Sequence, residues 1–210
     1  MSRFDEMSAL LQKGKAKDLV AIVNEELALG TSPKDILEKA LISGMSVVGE
    51  KFKNNEIFVP EVLIAARAMN MTLAILKPLL VKDGFEPIGT AIICTVKGDV
   101  HDIGKNLVKM MIEGMGIRVI DLGTDCSADK IVDAIKEYNA GVVCLSALLT
   151  TTMGYQEVVI KAICDAGLRN KVKIMIGGAP VTEQFAKDIG ADFYTPDAAT
   201  AAECAKAIFN

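Results

Sequence analysis

One stretch of the chain carries side chains that can hold a metal or move a proton: Gly98-Asp-Val-His101-Asp-Ile-Gly104-Lys-Asn106. His101 is the only histidine in the 210 residues. Asp99 and Asp102 are both close enough in sequence to accept a hydrogen bond from one of its ring nitrogens, as carboxylates do around a metal-bound imidazole. The stretch therefore leaves two interpretations open, a metal ligand or acid–base group at His101 and a loop histidine without a task, and two motifs further along the chain bear on the choice.

Two nucleotide-binding motifs do not fit this stretch. A phosphate-binding P-loop needs four residues between its glycines and a Ser or Thr after the lysine. Here Gly98 and Gly104 are one residue too far apart, and Asn106 replaces the hydroxyl. The dinucleotide fingerprint G-x-G-x-x-G is absent from the sequence. The stretch therefore excludes both motifs.

Two further motifs follow apolar runs that read as buried parallel strands. Ser146-Ala-Leu148 ends the run Gly141–Leu145, and Gly177-Gly178 ends the run Val172–Ile176. The stretch around His101 likewise follows the apolar run 90–96. Because parallel strands end at one edge of their sheet, the sequence predicts that all three motifs share that edge.

Beyond residue 89, predicted strands and helices alternate, which is typical of a parallel sheet with right-handed crossovers. The predicted strands are 90–96, 118–122, 141–146, 172–176 and 192–195, and the predicted helices are 105–115, 127–138, 153–167, 181–189 and 198–209. We predict a flavodoxin-like (Rossmann-like) α/β domain with strand order 2-1-3-4-5. That order places the loops after strands 1 and 3 side by side at the switch point.

The first 80 residues show helical periodicity and predict an all-α four-helix bundle. Gly14, Gly30 and Asn54-Asn55 separate the helices, Ser32-Pro33 begins the third, and the fourth runs from Pro60 to about Leu80. The segment 81–89 mixes charge, Gly and Pro and predicts a linker. The predicted domains are 1–85, the bundle, and 89–210, the sheet domain.

Composition narrows the class of protein. The net charge of −4 with mixed signs argues against nucleic acid as a partner. No apolar run approaches the roughly 20 residues of a membrane span, and no signal-peptide core is evident, so we expect a cytoplasmic protein without a membrane partner. Five cysteines without a C-x-x-C pair suit a reducing compartment, with Cys94 and Cys144 expected in the core.

The series D-x-H-x-x-G, S-x-L and G-G resembles the cobalamin-binding signature of B12-dependent methyltransferases and mutases. With a helical bundle before it, the whole chain is similar to the corrinoid proteins of methyltransferase systems and to the cobalamin module of methionine synthase. The resemblance implies a cobalamin cofactor, methylcobalamin in turnover, whose benzimidazole tail leaves the cobalt and lies in a slot of the sheet. A protein histidine then takes the lower axial position.

Residue by residue, the resemblance implies that His101 is the cobalt ligand and that Asp99 orients it. The Thr152 hydroxyl would extend the Asp99–His101 pair by a further hydrogen bond. The remaining cofactor-binding residues implied on the sheet domain are Asp102, Gly104, Ser146, Leu148, Thr150, Gly177, Gly178 and Ala198. Ser146 and Thr150 would line the tail slot, and the two glycines would let the tail approach the backbone.

In the bundle, Val48-Gly-Glu-Lys-Phe52 and Ile57-Phe-Val-Pro-Glu61 match the segments that cover the upper corrin face in this family. Phe52 and Val59 would then shield the methyl group, and Glu38 would lie near the corrin. From the pattern alone, Phe52 and Val59 are equally consistent with the bundle core, and Glu38 with an exposed helix charge.

The resemblance implies a methyl-carrier subunit that is not catalytic by itself. It would accept a methyl group on Co(I) from a substrate-specific methyltransferase. It would pass that group from methyl-Co(III) to an acceptor methyltransferase serving tetrahydrofolate or a thiol coenzyme. A reductive activator of Co(II) is a further implied partner. Two alternatives remain open: the small subunit of an adenosylcobalamin mutase, and a B12-dependent sensor or regulator.

Overall fold

The computed structural model describes residues 2–84 and 86–209. Phe85, in the predicted linker, and the terminal residues Met1 and Asn210 lie outside this description. The chain divides into two compact units: residues 1–87 with 114–116, and residues 88–113 with 117–210. The predicted domain ranges stay a prediction, since compact packing does not show that a unit folds by itself.

The first unit is all-helical. Its helices are α1 (Arg3–Gln12), α2 (Ala16–Ala28), α3 (Pro33–Asp35), a π-helix (Ile36–Ile42), α4 (Ser43–Lys53) and α5 (Val59–Lys82). Since α3, the π-helix and α4 follow one another without a break, the described residues form four helical rods. Apolar stripes from each rod, including Leu19, Met45 and Met69, are fully or almost fully buried between them. The predicted bundle is confirmed.

Two details of the third rod differ from expectation. Ser32 occupies the predicted N-cap position, but its side chain makes no capping hydrogen bond. The helical periodicity also gave no sign of the π-helix. Its wider turn still buries Ile36, Leu37, Ala40 and Leu41, so the apolar stripe passes through it unbroken.

Helix α5 is more apolar than the sequence analysis recognised. It is long and apolar enough to cross a membrane by length and composition alone, with a mean hydropathy of 1.4 in its most apolar window. The expectation drawn from uninterrupted apolar runs missed this window because charged residues interrupt it. Ala65, Met69 and Leu76 are buried among the other helices of the bundle, and 39% of the most apolar window is buried within the described residues.

The second unit is the predicted doubly wound sheet. Its strands are β1 (Thr90–Thr95), β2 (Arg118–Asp121), β3 (Val142–Ser146), β4 (Lys173–Gly177) and β5 (Phe193–Tyr194). All pairs are parallel, and the strand order is β2-β1-β3-β4-β5, which confirms the predicted topology. The register places Thr95 beside Ser146 and Ser146 beside Gly177. These three residues form one row at the carboxyl edge of the sheet.

Helices cover the two faces of this sheet. They are α6 (Ile103–Glu113), α7 (Ala128–Tyr138), α8 (Thr150–Met153), α9 (Tyr155–Asp165), α10 (Glu183–Asp188) and α11 (Ala198–Phe209). Helix α6 packs against α11, and α7 packs against α9. Cys94 and Cys144 are buried in the strands as expected, and no described cysteine forms a disulfide.

The amino edge of the sheet is closed by an aromatic ring. Phe209, the last residue of α11, lies against the backbone of Gly89 and Gly141, just before β1 and β3. A Cβ at either glycine would overlap the ring. A side chain at either position would therefore displace the Phe209 ring.

Candidate cofactor site

A hydrogen-bonded carboxylate–imidazole pair lies at the switch point of the sheet. The Nδ1 atom of His101 is 2.7 Å from Oδ1 of Asp99, and the backbone N–H of His101 donates to the same oxygen at 3.0 Å. The Asp99 side chain is fully buried, whereas 47% of the His101 side chain is exposed. A fixed carboxylate thus orients a ring that is open on its other side.

The second oxygen of Asp99 is also occupied. Its Oδ2 atom accepts hydrogen bonds from the backbone N–H of Leu148 at 2.8 Å and from Oγ1 of Thr152 at 2.7 Å. Burial raises the pKa of Asp99, but these donors together with those of His101 outweigh it and hold the pKa well below its usual range. Asp99 is therefore an ionised carboxylate with four donors around it.

The ionised state of Asp99 fixes the tautomer of the neutral imidazole. A carboxylate only accepts, so Nδ1 of His101 carries the proton of this hydrogen bond. The neutral ring then has its lone pair on Nε2, the nitrogen that a metal can bind. This is the arrangement expected of an imidazole prepared for a metal at Nε2.

The structure distinguishes the two aspartates that the sequence left as alternatives. Asp102 is exposed and accepts from the Asn106 side chain at 3.0 Å and, through its carbonyl oxygen, from the Asn106 backbone at 2.7 Å. It therefore helps to start α6, and Asp99 is the partner of the His101 ring. The predicted role of Asp102 toward the cofactor stays a prediction.

The loop that carries His101 is braced by the segment after β2. The Gly98 backbone N–H donates to Oδ1 of Asp125 at 2.7 Å, and the Asp125 N–H donates to the Asp99 carbonyl oxygen at 3.0 Å. Gly98 has a φ of 85° and Asp125 a φ of 53°, so both use the left-handed region to make this contact. Sequence reasoning missed Asp125, although an Asp two residues after a Gly in a turn is a signal for such a brace.

A buried ion pair fixes the end of the same loop. The Lys105 side chain is 2% exposed, and its Nζ atom lies 2.6 Å from Oδ1 of Asp121 and 2.8 Å from Oδ1 of Asn106. Burial raises the pKa of Asp121, but Lys105 and other donors outweigh it and lower that pKa overall. The start of α6 is thereby tied to the carboxyl end of β2. Sequence reasoning missed the pair because only the sheet brings its members together.

The segment after β3 contributes residues to the carboxyl edge of the sheet and also a hydrogen bond that supports Asp99. Ser146 is half-buried in the row at the carboxyl edge, while Leu148 and Thr150 are exposed. Thr152 is buried, and its hydroxyl lies between Asp99 and the carbonyl oxygen of Leu149, 3.0 Å away. Thr152 thus contacts the Asp99–His101 pair directly, whereas Ser146 and Thr150 leave their hydroxyls for another partner.

The three predicted glycine positions differ in what a side chain would meet there. Gly178 has a φ of 134°, and a Cβ there would overlap the carbonyl oxygen of Ala147, so the chain itself requires glycine. A Cβ at Gly177 would lie 3.0 Å from the Thr195 carbonyl oxygen. At Gly104 a Cβ would meet no described atom within 4 Å, so the packing of the described residues does not require glycine there.

The remaining predicted residues are placed as follows. Ala198 is buried as the first residue of α11. In the helical unit, Phe52 is half-buried at the end of α4 and Val59 is 37% exposed at the start of α5. Glu38 is exposed in the π-helix, where Lys34 lies 3.8 Å away. Their roles toward a cofactor stay predictions.

Gln156 is a further residue that sequence reasoning missed. It is fully buried, and its Nε2 atom donates to the carbonyl oxygens of Leu145 at 3.0 Å and Gly177 at 3.3 Å. It therefore ties together the ends of β3 and β4, where the predicted tail slot lies. A buried amide in an otherwise apolar helix face was the available signal.

The chemistry of this edge fits a corrinoid. One oriented imidazole with a free Nε2 suits a metal whose other positions are filled by a macrocycle. Around His101, the side chains of Val100, Ile103 and Leu148 are 72%, 81% and 41% exposed, which gives the edge an apolar surface for a large flat ligand. The open space at Gly104 adds room beside it.

Comparisons with known proteins agree with this site. Residues 89–205 match the family model described as a B12 binding domain, and residues 3–77 match a second model of the same description. The trimethylamine corrinoid protein of Methanosarcina barkeri is 42% identical over 90% of this chain and 88% of its own length. A corrinoid protein of Desulfitobacterium hafniense is 39% identical over 99% of this chain and 98% of its own length.

Solved structures give the same result. The methanol:cobalamin methyltransferase complex MtaBC from Methanosarcina barkeri aligns with a TM-score of 0.88 at 29% identity, over 99% of this chain and 79% of that one. A cobalamin-binding protein from Desulfitobacterium hafniense aligns with a TM-score of 0.82 at 30% identity over 98% of both chains.

A helical bundle and a doubly wound sheet with one oriented imidazole at its ligand edge define a class of cobalamin-binding α/β proteins. The chain belongs to the B12-binding corrinoid proteins of methyltransferase systems, and its cofactor is a corrinoid. The predicted family, fold class and cofactor are confirmed.

Proposed function

We propose that this protein carries a methyl group on a corrinoid held at the carboxyl edge of the sheet, with His101 as the lower axial ligand of cobalt. The observation that carries the proposal is the 2.7 Å contact between Nδ1 of His101 and the buried carboxylate of Asp99, because it assigns the proton to Nδ1 and the lone pair to Nε2 of a half-exposed ring. The tail slot is proposed at Ser146, Thr150, Gly177 and Gly178.

The corrinoid, when bound, supplies a cobalt centre that accepts and gives up the methyl group. The chain supplies the geometry. Asp99 holds the imidazole and makes it a better electron donor, because the hydrogen bond to a carboxylate raises the basicity of the ring. Thr152 and the Leu148 N–H keep Asp99 in place and ionised.

Reconstitution of the protein with hydroxocobalamin tests this proposal. We expect about one corrinoid per chain, and nitrogen superhyperfine splitting in the electron paramagnetic resonance spectrum of its Co(II) form. His101→Ala should lose that splitting and keep part of the affinity, because the tail slot is elsewhere. Asp133→Asn, a change to an exposed carboxylate on α7 outside the predicted cofactor-binding residues, is the control and should keep the splitting. Because the benzimidazole nitrogen of the cofactor can also give this splitting, the wild-type protein is also prepared with ¹⁵N-labelled histidine. If His101, the sole histidine, binds the cobalt, each triplet should become a doublet, and unchanged triplets would refute the assignment.

The partners follow from the relatives. Because curated relatives are named trimethylamine and dimethylamine corrinoid proteins, we propose a methylamine-specific methyltransferase as the donor enzyme. An acceptor methyltransferase, a reductive activator of Co(II) and a cytoplasmic location complete the proposal. Methyl transfer assays with purified methylamine and methanol methyltransferases test donor choice: faster methylation of the bound corrinoid with methanol would exclude the methylamine assignment.

A further inference from the structure

Thr95, the last residue of β1, lies outside the D-x-H-x-x-G motif and yet contacts the residue that the motif is built around. It is fully buried, and its Oγ1 atom donates a hydrogen bond to the carbonyl oxygen of His101 at 2.8 Å. We propose that Thr95 is a positioning residue for His101, fixing the direction in which the imidazole points. This inference rests on the proposed role of His101 as the cobalt ligand.

The sheet does not need the Thr95 hydroxyl. The Thr95 backbone N–H donates to the Gly123 carbonyl oxygen at 3.0 Å, and its carbonyl oxygen accepts from the Cys126 N–H at 3.1 Å. Both backbone groups of Thr95 are thus satisfied by the segment after β2. The hydroxyl is free to bridge from the strand end to the loop.

Thr95 completes the set of bonds that hold His101. The His101 N–H and Nδ1 both bond to Asp99, and the His101 carbonyl oxygen bonds to Thr95. Nε2 is then the one polar atom of this residue that these bonds leave open. Rotation of the peptide after His101 would swing the ring, and a bonded carbonyl oxygen resists that rotation.

The residue type suits this task. Thr is stiff at χ1 because its Cβ is branched, so its hydroxyl points in a defined direction. Metal and catalytic geometries must be held within about 0.5 Å and 10–20° by their supporting residues. Supporting hydrogen bonds of this kind change metal affinity about 10–100-fold when they are removed.

Thr95→Val tests the inference, because it keeps the shape of the side chain and removes the hydroxyl. Thr72→Val is the matched control: Thr72 is also fully buried, and its hydroxyl donates to the Ala68 carbonyl oxygen at 2.9 Å, within α5 of the helical unit. Both variants lose one buried hydroxyl–carbonyl bond. Only the change at Thr95 should alter His101.

Two readouts separate positioning from stability. In the cofactor-free protein, the ring signals of the sole histidine report its environment by nuclear magnetic resonance, and Thr95→Val should shift and broaden them. In the Co(II) protein, the equilibrium between nitrogen-bound and nitrogen-free cobalt should move about 10–100-fold toward the free form. Thr95→Ser, which keeps the hydroxyl, should restore both readouts toward those of the wild type.

The outcomes are distinct. Unchanged ring signals in Thr95→Val, with a loss of melting temperature like that of Thr72→Val, would overturn the inference and leave Thr95 a structural residue. Absence of nitrogen splitting in the wild type would refute the proposed function instead, and the ring signals would still decide whether Thr95 orients His101. Should Thr95→Val not fold, Thr95→Ala with Thr72→Ala as its control takes its place.

Discussion

Replacing Asp99 by Asn tests the central hydrogen-bond arrangement, because it exchanges one acceptor oxygen for an NH₂ group and leaves the shape unchanged. Asp99 accepts two donors on each oxygen: the N–H and Nδ1 of His101 on Oδ1, and the Leu148 N–H and Thr152 hydroxyl on Oδ2. In either orientation the new NH₂ group faces two donors. At least one partly buried N–H then loses its acceptor.

The two orientations of the substituted amide differ in their cost. With the NH₂ group toward His101, Nδ1 would have to accept, which moves the ring proton to Nε2 and removes the lone pair needed by a metal. With the NH₂ group toward Thr152, the hydroxyl can turn to the Leu149 carbonyl oxygen, 3.0 Å away, and accept from the amide. The second orientation strands only the Leu148 N–H, so we expect it to prevail and the His101 tautomer to be kept.

A stranded donor costs up to about 1–3 kcal/mol, and the partly buried Leu148 N–H should fall toward the lower end of that range. At about 2–4 °C per kcal/mol for a chain of this size, the melting temperature of the cofactor-free Asp99→Asn protein should fall by about 2–12 °C. Loss of the carboxylate behind the imidazole should weaken cobalt coordination about 10–100-fold without abolishing it. Thermal unfolding and the nitrogen splitting of the Co(II) protein measure the two effects.

Asp102→Asn is the control, because this exposed carboxylate contacts Asn106 and not the His101 ring. It should change the melting temperature by about 1 °C or less, as surface substitutions do. An Asp99→Asn protein with the stability and coordination of the wild type would refute the reasoning. Complete loss of coordination would show that the first amide orientation prevails.

Three further predictions concern the same edge of the sheet. The pKa of Asp99 is depressed in the folded protein, so the ionised carboxylate stabilises the fold above the ordinary pKa of about 4, and this stabilisation is lost as pH falls through the folded-state pKa. The difference in unfolding free energy between the wild type and Asp99→Asn, measured by urea unfolding, should therefore be constant above about pH 5 and shrink below about pH 4. Gly178→Ala should strongly destabilise or unfold the sheet unit, as measured by circular dichroism. Gly104→Ala should keep the stability of the wild type and lose affinity for the corrinoid in a binding titration. Equal losses of stability in the two variants would contradict this prediction. Asp121→Asn should lower the free energy of unfolding in urea by about 3–5 kcal/mol, because it leaves the buried Lys105 ammonium without its counter-charge. Lys105→Met should lower it by less, because Asp121 is 21% exposed and keeps its ion pair with Lys109. The reverse order of the two losses would contradict this reasoning.

The sequence predicted which residues meet at the site because their meeting follows from topology. His101, Ser146 and Gly177 each lie at or just after the end of a parallel strand, and the strand order β2-β1-β3-β4-β5 brings those strand ends into neighbouring positions. Apolar runs and glycine positions are sufficient to predict that much. The family signature then supplied the ligand.

The supporting contacts could not be predicted because they depend on the path of the backbone. Asp99 and Asp102 flank His101 on its two sides in the sequence, and nothing in their types tells which one turns inward. Thr95 reads as an ordinary β-branched strand residue until the loop is seen to fold back over it. Lys105 reads as a helix-surface charge, and only the twist of the sheet brings Asp121 to it.

The ring of Phe209 against Gly89 and Gly141 gives α11 a fixed anchor at the amino edge of the sheet. The helix begins at Ala198 and, with 12 residues at about 1.5 Å each, spans roughly 18 Å. Helix ends usually fray and are the first places that proteases reach. We expect the aromatic ring to limit that fraying, so loss of the ring at Phe209 should loosen α11 as a whole, including its first residue Ala198 at the other end of the helix.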